Sequence, residues 1–292
     1  MTNHPKRFNP VWRLRLLALL AGLVAVAQPA NSQTGKPDSS LKPPVKSLPC
    51  PGEVFQVNGS TAFLIRATNA PSGAAAPWVW YAPTLPGLPA KEEQWMFERF
   101  LAAGIAIAGV DVGESYGSPA GRARFTEFYE ALTKQRGMSP TPCLLARSRG
   151  GLMLYNWAVE HPRCVAGVAG IYPVCDLTSY PGLTNACGAY GLTAAQLAAA
   201  LPDQNPINRL EPLAQAQVPL YHLHGDSDTV VPLEKNSGEL ARRYRKLGGS
   251  VILNVVPGQG HNMWTGWFQC QELVDFVISR ARPSVAGGSI TK

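Results

Sequence analysis

The sequence predicts an α/β domain with a mostly parallel central sheet and helices on both faces, and three observations carry that prediction. Six apolar runs, at 78–81, 105–110, 143–146, 165–171, 219–224 and 251–256, have the length and composition of buried strands. Stretches of helical period separate most of them, and strands alternating with helices pair in parallel with helices covering the sheet. Ahead of the first run, Val54, Phe55 and Val57 and then Ala62–Ile65 flank Asn58-Gly59, the two-residue signal of a β-hairpin. That hairpin adds an antiparallel edge.

The elements follow in chain order. After the strand at Trp78–Tyr81, residues 91–103 place Trp95, Phe97, Phe100 and Leu101 among Glu and Arg, as a helix does, and Gly104 ends it. Beyond the strand at Ile105–Val110, Ser118-Pro119 is a helix start with Pro at the first helical position. The amphipathic run continues through Phe125, Phe128, Tyr129 and Leu132. The strand Cys143–Ala146 leads into a helix from Gly150 to about His161. The strands at 165–171, 219–224 and 251–256 follow, with helices expected near 233–247 and 267–279. There is no internal repeat and no sign of a second core.

The 292 residues are 46% hydrophobic and 15% charged, which excludes disorder as the main state. The 28 Gly and 26 Pro are scattered between apolar runs, which excludes a collagen-like repeat. A formal charge of +7 invites a nucleic-acid or anionic-membrane partner, but its location argues otherwise. Lys6, Arg7, Arg13 and Arg15 precede a charge-free run from Leu16 to Ala27, the pattern of a secretory signal. At 12 residues the run is too short to span a bilayer, which takes about 20. Cleavage is expected after Ala27 or Ser32. Removing residues 1–32 takes the formal charge from +7 to +3, so neither a nucleic-acid partner nor stable membrane insertion is expected of a secreted or periplasmic chain. Residues 33–49 read as a linker, 50–282 as one domain and 283–292 as a flexible tail. All six cysteines lie beyond the signal, an even count that favours disulfides in an oxidising compartment. Of the 15 pairings six cysteines allow, Cys50–Cys270, Cys143–Cys164 and Cys175–Cys187 are the set taken here, with Cys175–Cys187 stapling one loop.

Chemistry in such sheets gathers at the carboxyl ends of strands. Cys143–Ala146 runs into Arg147-Ser148-Arg149-Gly150-Gly151 directly before a helix. This arrangement makes Ser148 a candidate nucleophile, small neighbours being required for a sharp strand-to-helix turn. A serine hydroxyl needs a base, and of five histidines only His261, in the Gly258–His261 turn after the last strand, is placed in a loop free to reach it. The penultimate strand ends in His224-Gly225-Asp226-Ser227-Asp228, offering two carboxylates to orient the base.

The order Ser148, Asp228, His261, the near match of residues 146–150 to G-x-S-x-G with Ala146 for the first Gly, and H-G-x-x-D-x-x-V-P at 224–232 resemble the α/β-hydrolases. Pro206–Leu210 and Leu247-Gly248-Gly249 are similar to the prolyl-oligopeptidase-like and carbohydrate-esterase-like branches. The resemblance spans about residues 53–280. It implies an α/β-hydrolase fold with a lid after the strand that follows the nucleophile helix, here at 172–190. It implies Ser148 as nucleophile, His261 as base and Asp228 as acid, with Asp226 capping the turn or salt-bridging nearby. The backbone N–H of Arg149 would supply one half of an oxyanion hole. Thr84, in the loop after the Trp78 strand, would supply the other, Pro83 having no N–H. The arginines beside the serine resemble the elbow of glucuronoyl esterases, which implies a substrate contact at Arg147 and an oxyanion or anionic-substrate contact at Arg149; the alternative is a salt bridge to Glu or Asp behind the elbow. Glu114 and Tyr116, at the end of a neighbouring strand, are further candidates for lining the pocket.

The expected activity is carboxylic-ester hydrolysis through an acyl-enzyme, on small-molecule or extracellular carbohydrate esters, with no cofactor and no metal. Two other readings stand beside it: a prolyl-oligopeptidase-like serine peptidase, and a non-catalytic binding protein of the same fold. A further one comes from His222-Leu223-His224-Gly225-Asp226, which matches the H-x-H-x-D start of metallo-β-lactamase-type sites. Strand alternation would put both imidazoles on one face.

Overall fold

In the computed structural model, which describes residues 46–69 and 74–282, Asn58 and Gly59 take φ values of 46° and 81°. This is the left-handed pair that a two-residue hairpin turn requires. They join β1 (Glu53–Val57) to β2 (Ser60–Ile65), and β2 continues antiparallel to β4 (Ala106–Val110). The other strands are β3 (Trp78–Ala82), β5 (Cys143–Arg147), β6 (Gly167–Ile171), β7 (Leu220–Gly225) and β8 (Val251–Val256). They complete an eight-stranded sheet in the order β1-β2-β4-β3-β5-β6-β7-β8, parallel from β4 onward. The expected signal, most of the linker and the tail lie outside the described residues. Lys46, at the end of the segment read as linker, is buried with its Nζ donating to the Leu85 carbonyl at 2.6 Å.

Period-two alternation along β3 shows how the sheet divides the core. Trp78, Trp80 and Ala82 enter one apolar layer, whereas Val79 and Tyr81 enter the other. In the first layer the Trp80 ring sits 4.6 Å from Trp157 and 5.1 Å from Phe125, between α2 (Pro119–Glu130) and α3 (Gly150–Glu160). The Ser118 hydroxyl caps α2 by accepting from the Gly121 N–H. The second layer receives Phe97 and Phe100 from α1 (Gln94–Ala102).

Between β6 and β7 lie four short helices, α4 (Leu183–Ala186), α5 (Ala194–Ala199), α6 (Leu201–Gln204) and α7 (Glu211–Gln215). Then α8 (Ser237–Lys246) joins the first layer through Leu240, Ala241 and Tyr244. The helix expected at 267–279 is two: α9 (Thr265–Phe268) and α10 (Gln271–Ala281), both packed on the second layer. The break falls where Cys270 turns to extended backbone, at φ −76° and ψ 107°. The last strand is less buried than its apolar sequence suggests: β8 is the sheet edge, and Ile252 is 53% exposed.

The disulfides expected from the even cysteine count are not formed, and all six cysteines are free thiols. The sheet itself separates one expected pair, because Cys143 points into the second layer while Cys164 packs against the first. Burial pushes the Cys143 thiol up. Cys175 is buried in the first layer, with its Sγ on the Pro173 carbonyl. Cys187 instead packs against a small satellite core of Leu152, Val174, Leu177, Ala186, Leu197 and Val231. Cys270 lies beside Tyr221 and Glu272 rather than bonded to Cys50. The β6–β7 segment is therefore held by apolar packing and buried amides, without a staple. Asn236 Oδ1 accepts from the Cys175 and Asp176 N–H groups, and Asn205 Oδ1 from the Leu177 N–H.

Candidate active site

Ser148 stands between β5 and α3 with φ +49°, a conformation that costs a non-glycine residue energy and is held by its surroundings. Its N–H donates to the Ile171 carbonyl at 3.0 Å, and its carbonyl accepts from Gly151 and Val174 at 2.9 and 2.8 Å. The two following glycines are a packing requirement. A Cβ on Gly150 would lie 2.1 Å from the Ala82 carbonyl oxygen, and one on Gly151 2.3 Å from that of Val174. The turn thus presses against the ends of β3 and the β6–β7 segment, and the serine projects above the sheet.

His261 reaches it from the loop after β8. Its Nε2 is 2.9 Å from Ser148 Oγ, and its Nδ1 is 2.8 Å from Asp228 Oδ2. Asp228 Oδ1 accepts from the Val230 and Val231 N–H groups at 3.0 and 2.8 Å. Burial alone would raise the Asp228 pKa. The His224 ring at 3.4 Å, the hydrogen bond from His261 and the Val231 N–H outweigh it and hold the carboxyl well below the usual carboxylate range. Asp226 caps the turn: its Oδ1 accepts from Gly258 N–H at 2.7 Å, tying this loop to the one that carries His261. Asn262 Oδ1 accepts from the Trp264 N–H and from Trp267 Nε1, which anchors the His261 loop on α9.

The Ser148–His261 pair opens onto a cavity of about 200 Å³ lined by Pro83, Leu88, Arg147, Arg149, Tyr172 and Met263, among others. Tyr172 was not legible as a site residue beyond its place after a strand end. It takes φ +35°, and its ring lies 4.3 Å from the His261 ring. Burial raises its hydroxyl pKa, against the pull of Arg147.

The expected substrate contacts are rearranged. Arg147 turns to Glu93, fully buried, at 2.6 Å, and Glu93 also accepts from the Tyr81 hydroxyl and the Ala90 N–H. The Arg147 charge is therefore neutralised inside the protein, and its outer nitrogen rests on Met263 Sδ. Arg149 pairs with Glu114, so two expected substrate contacts engage each other. Tyr116 packs against the satellite core, its carbonyl accepting from the Tyr190 hydroxyl. Thr84 stands behind Pro83: it is 2% exposed, its hydroxyl donates to the Tyr81 carbonyl, and Pro83 and Leu88 form the cavity wall. Arg149, the residue after Ser148, is the N-cap of α3.

His222 and His224 do share one face of β7, but that face is buried under α3 and α8. Their ring nitrogens lie within hydrogen-bonding distance of Tyr155, Ser237 and the Val231 carbonyl, and Asp226 belongs to the turn described above.

Compared with known proteins, residues 125–277, more than half of the chain, match the model of the prolyl oligopeptidase family. The chain belongs to that family. The matched stretch contains Ser148, Asp228 and His261. No curated protein matches the sequence. Among solved structures, this prolyl oligopeptidase family member is similar to a puromycin-hydrolyzing peptidase of Mycobacterium tuberculosis. The two are 16% identical with a TM-score of 0.64, over 79% of this chain and 40% of that one. It is also similar to an S-formylglutathione hydrolase of Agrobacterium tumefaciens, at 14% identity and a TM-score of 0.63, over 80% and 94%. The M. tuberculosis protein MPT51 gives 16% and 0.61, over 80% and 100%. At these identities the likeness establishes the fold, an α/β-hydrolase fold. The chain spans less than half the length of the peptidase.

Proposed function

We propose that this protein is a secreted serine hydrolase that cleaves carboxylic esters through an acyl-enzyme. The observation that carries the reading is the unbroken line from Asp228 through His261 to Ser148 Oγ, ending at a cavity. In that geometry His261 Nε2 removes the Ser148 proton as Oγ attacks the ester carbonyl, and Asp228 stabilises the imidazolium that forms. The proton then passes to the leaving alcohol, and a water activated by the same ring hydrolyses the acyl-serine. The Arg149 N–H, at the positive end of α3, is the oxyanion donor.

The cavity limits the acyl group. About 200 Å³ accommodates a short acyl chain, and because Glu93 and Glu114 already neutralise Arg147 and Arg149, an anionic substituent gains little from them. Acetyl esters of extracellular carbohydrate are therefore favoured by size over uronate esters, whose acyl group is a whole sugar ring. The family match favours a second reading, a serine peptidase, which uses the same chemistry on an amide.

Purified protein assayed on acetyl, feruloyl, methyl-uronate and p-nitrophenyl esters beside a proline-containing peptide separates the two. Fastest turnover is expected on the acetyl ester, and Ser148→Ala should lose at least about 1,000-fold in kcat and all labelling by a fluorophosphonate probe. Preference for the peptide would establish the peptidase instead. Absence of labelling in the folded wild type would leave a binding protein.

A further inference from the structure

The space beside Ser148 does not end at Met263. A second groove, of about 440 Å³, opens between the start of α1 and α9, and Met263 lines both it and the catalytic cavity. One wall is a helical stripe. Lys91, in the turn before α1, and Gln94, Trp95 and Glu98 stand three and four residues apart and so share a face. The remaining lining comes from the His261 loop and α9, through Met263, Thr265 and Gln269. The buried Arg147–Glu93 pair ties these parts to the nucleophile: Glu93 lies in the turn before α1, Arg147 precedes Ser148, and Arg147 Nη2 is 3.0 Å from Met263 Sδ.

The order of proton transfers decides which half of an ester the groove can hold. His261 Nε2, having taken the Ser148 proton, gives it to the leaving oxygen, so the alcohol lies on the His261 side of the scissile bond. Met263 is two residues beyond His261 in the same loop, which puts the groove on that side. Its side chains suit a ligand rich in hydroxyls. Gln94 Nε2 donates to Glu98 Oε1 at 2.8 Å, which orients both groups and leaves the other carboxylate oxygen and the amide carbonyl to accept. Glu92, Glu98 and Gln269 are exposed, and two carboxylates against one lysine disfavour an anionic sugar. At the rim Met263 and Trp264 are 50% and 42% exposed, and neither belongs to an apolar cluster. Trp264 is nevertheless held in place: its N–H donates to Asn262 Oδ1, and its ring forms a T-shaped pair with Trp267 at 5.3 Å. A fixed, exposed indole offers an electron-rich face to the C–H groups of a sugar ring.

We infer that this groove binds the alcohol half of the ester and that the alcohol is a neutral saccharide. The inference rests on the ester-hydrolase reading given above and supplies its leaving group. The small cavity takes the acyl chain, the groove takes the sugar, and Met263 stands between them. A volume of about 440 Å³ is within the range of sites that hold small organic ligands.

Esters that share an acetyl group and differ in the alcohol isolate the groove: acetylated xylobiose, hexyl acetate and ethyl acetate, whose two-carbon alcohol is too small to fill it. Gln94→Ala combined with Glu98→Ala keeps a good helix former at both positions of α1. In that variant the ratio of kcat/KM on the sugar ester to that on ethyl acetate should fall about tenfold, mainly through KM. The corresponding ratio for hexyl acetate should not move. Trp264→Ala should lower the sugar ratio in the same direction. Free xylotriose should bind the Ser148→Ala protein in titration calorimetry, and about tenfold more weakly once the two α1 alanines are added. An unmoved sugar ratio, an equal fall on hexyl acetate, or no binding of xylotriose to folded Ser148→Ala would overturn the inference. Failure of the fluorophosphonate probe to label the wild type would count against the hydrolase reading instead, and the xylotriose titration, which needs no turnover, would still decide whether the groove takes a sugar.

Discussion

Glu93 is the residue whose surroundings differ most from what the sequence suggests. Nothing in Lys91-Glu92-Glu93 distinguishes the third position from two exposed neighbours, yet Glu93 is fully buried and accepts from Arg147, Tyr81 and the Ala90 backbone. An ion pair this deep contributes little net stability over an apolar replacement, but removing one partner strands the other. Glu93→Ala should therefore destabilise the fold by about 3–5 kcal/mol, read as a lowered midpoint in urea unfolding. Pairing it with Arg147→Met should recover most of that loss. The line of Ser148, His261 and Asp228 is another matter: the strand end and the shortage of histidines point to Ser148 and His261, the choice of Asp228 over Asp226 comes from the resemblance, and the three side chains lie in one hydrogen-bonded row. The sequence does not reveal where each arginine turns, because that depends on carboxylates 35 and 54 positions away in the chain.

At the scale of elements, Asn58-Gly59 located the hairpin and apolar runs located all six parallel strands, since the sheet buries each of those runs on one or both faces. Cysteine number misled where composition stood in for geometry: six thiols distributed over both sides of a sheet and a satellite core do not meet. The β6–β7 segment, expected to be stapled, depends instead on Asn236, fully buried, whose Oδ1 accepts from Cys175 N–H, Asp176 N–H and the Ser179 hydroxyl. Asn236→Ala would leave two buried backbone donors without a partner, each costing about 1–3 kcal/mol. The expected outcome is a loss of about 2–4 kcal/mol, with faster amide exchange confined first to residues near 175–179. Uniform acceleration across β5 and β6 would show that the segment does not open on its own.

For the whole molecule, the buried imidazoles set how the fold meets acid. His222 sits between the sheet and α8, and burial first, then His224, lowers its pKa from 6.5 to about 3. His161 is also lowered, mainly by burial, partly offset by Glu160. A base whose folded pKa lies below its unfolded value takes up its proton only on unfolding. Its contribution to stability is therefore complete above pH 6.5 and is lost as pH falls from there towards 3. The slope for one such group approaches 1.4 kcal/mol per pH unit. Asp228, with a depressed pKa, adds a loss of the same sign only once pH falls below the ordinary carboxylate range near 4. Acid weakening should thus begin between pH 6.5 and 5, before carboxylates titrate, with about 2 kcal/mol lost over that interval to His222 alone. Urea unfolding at pH 7.5, 6, 5 and 4 measures it. In His222→Gln, which has no proton to gain, the fall between pH 6.5 and 5 should shrink to the share left to His161, while the decline below pH 4 persists. An equal fall in both proteins would mean that His222 is already protonated in the fold.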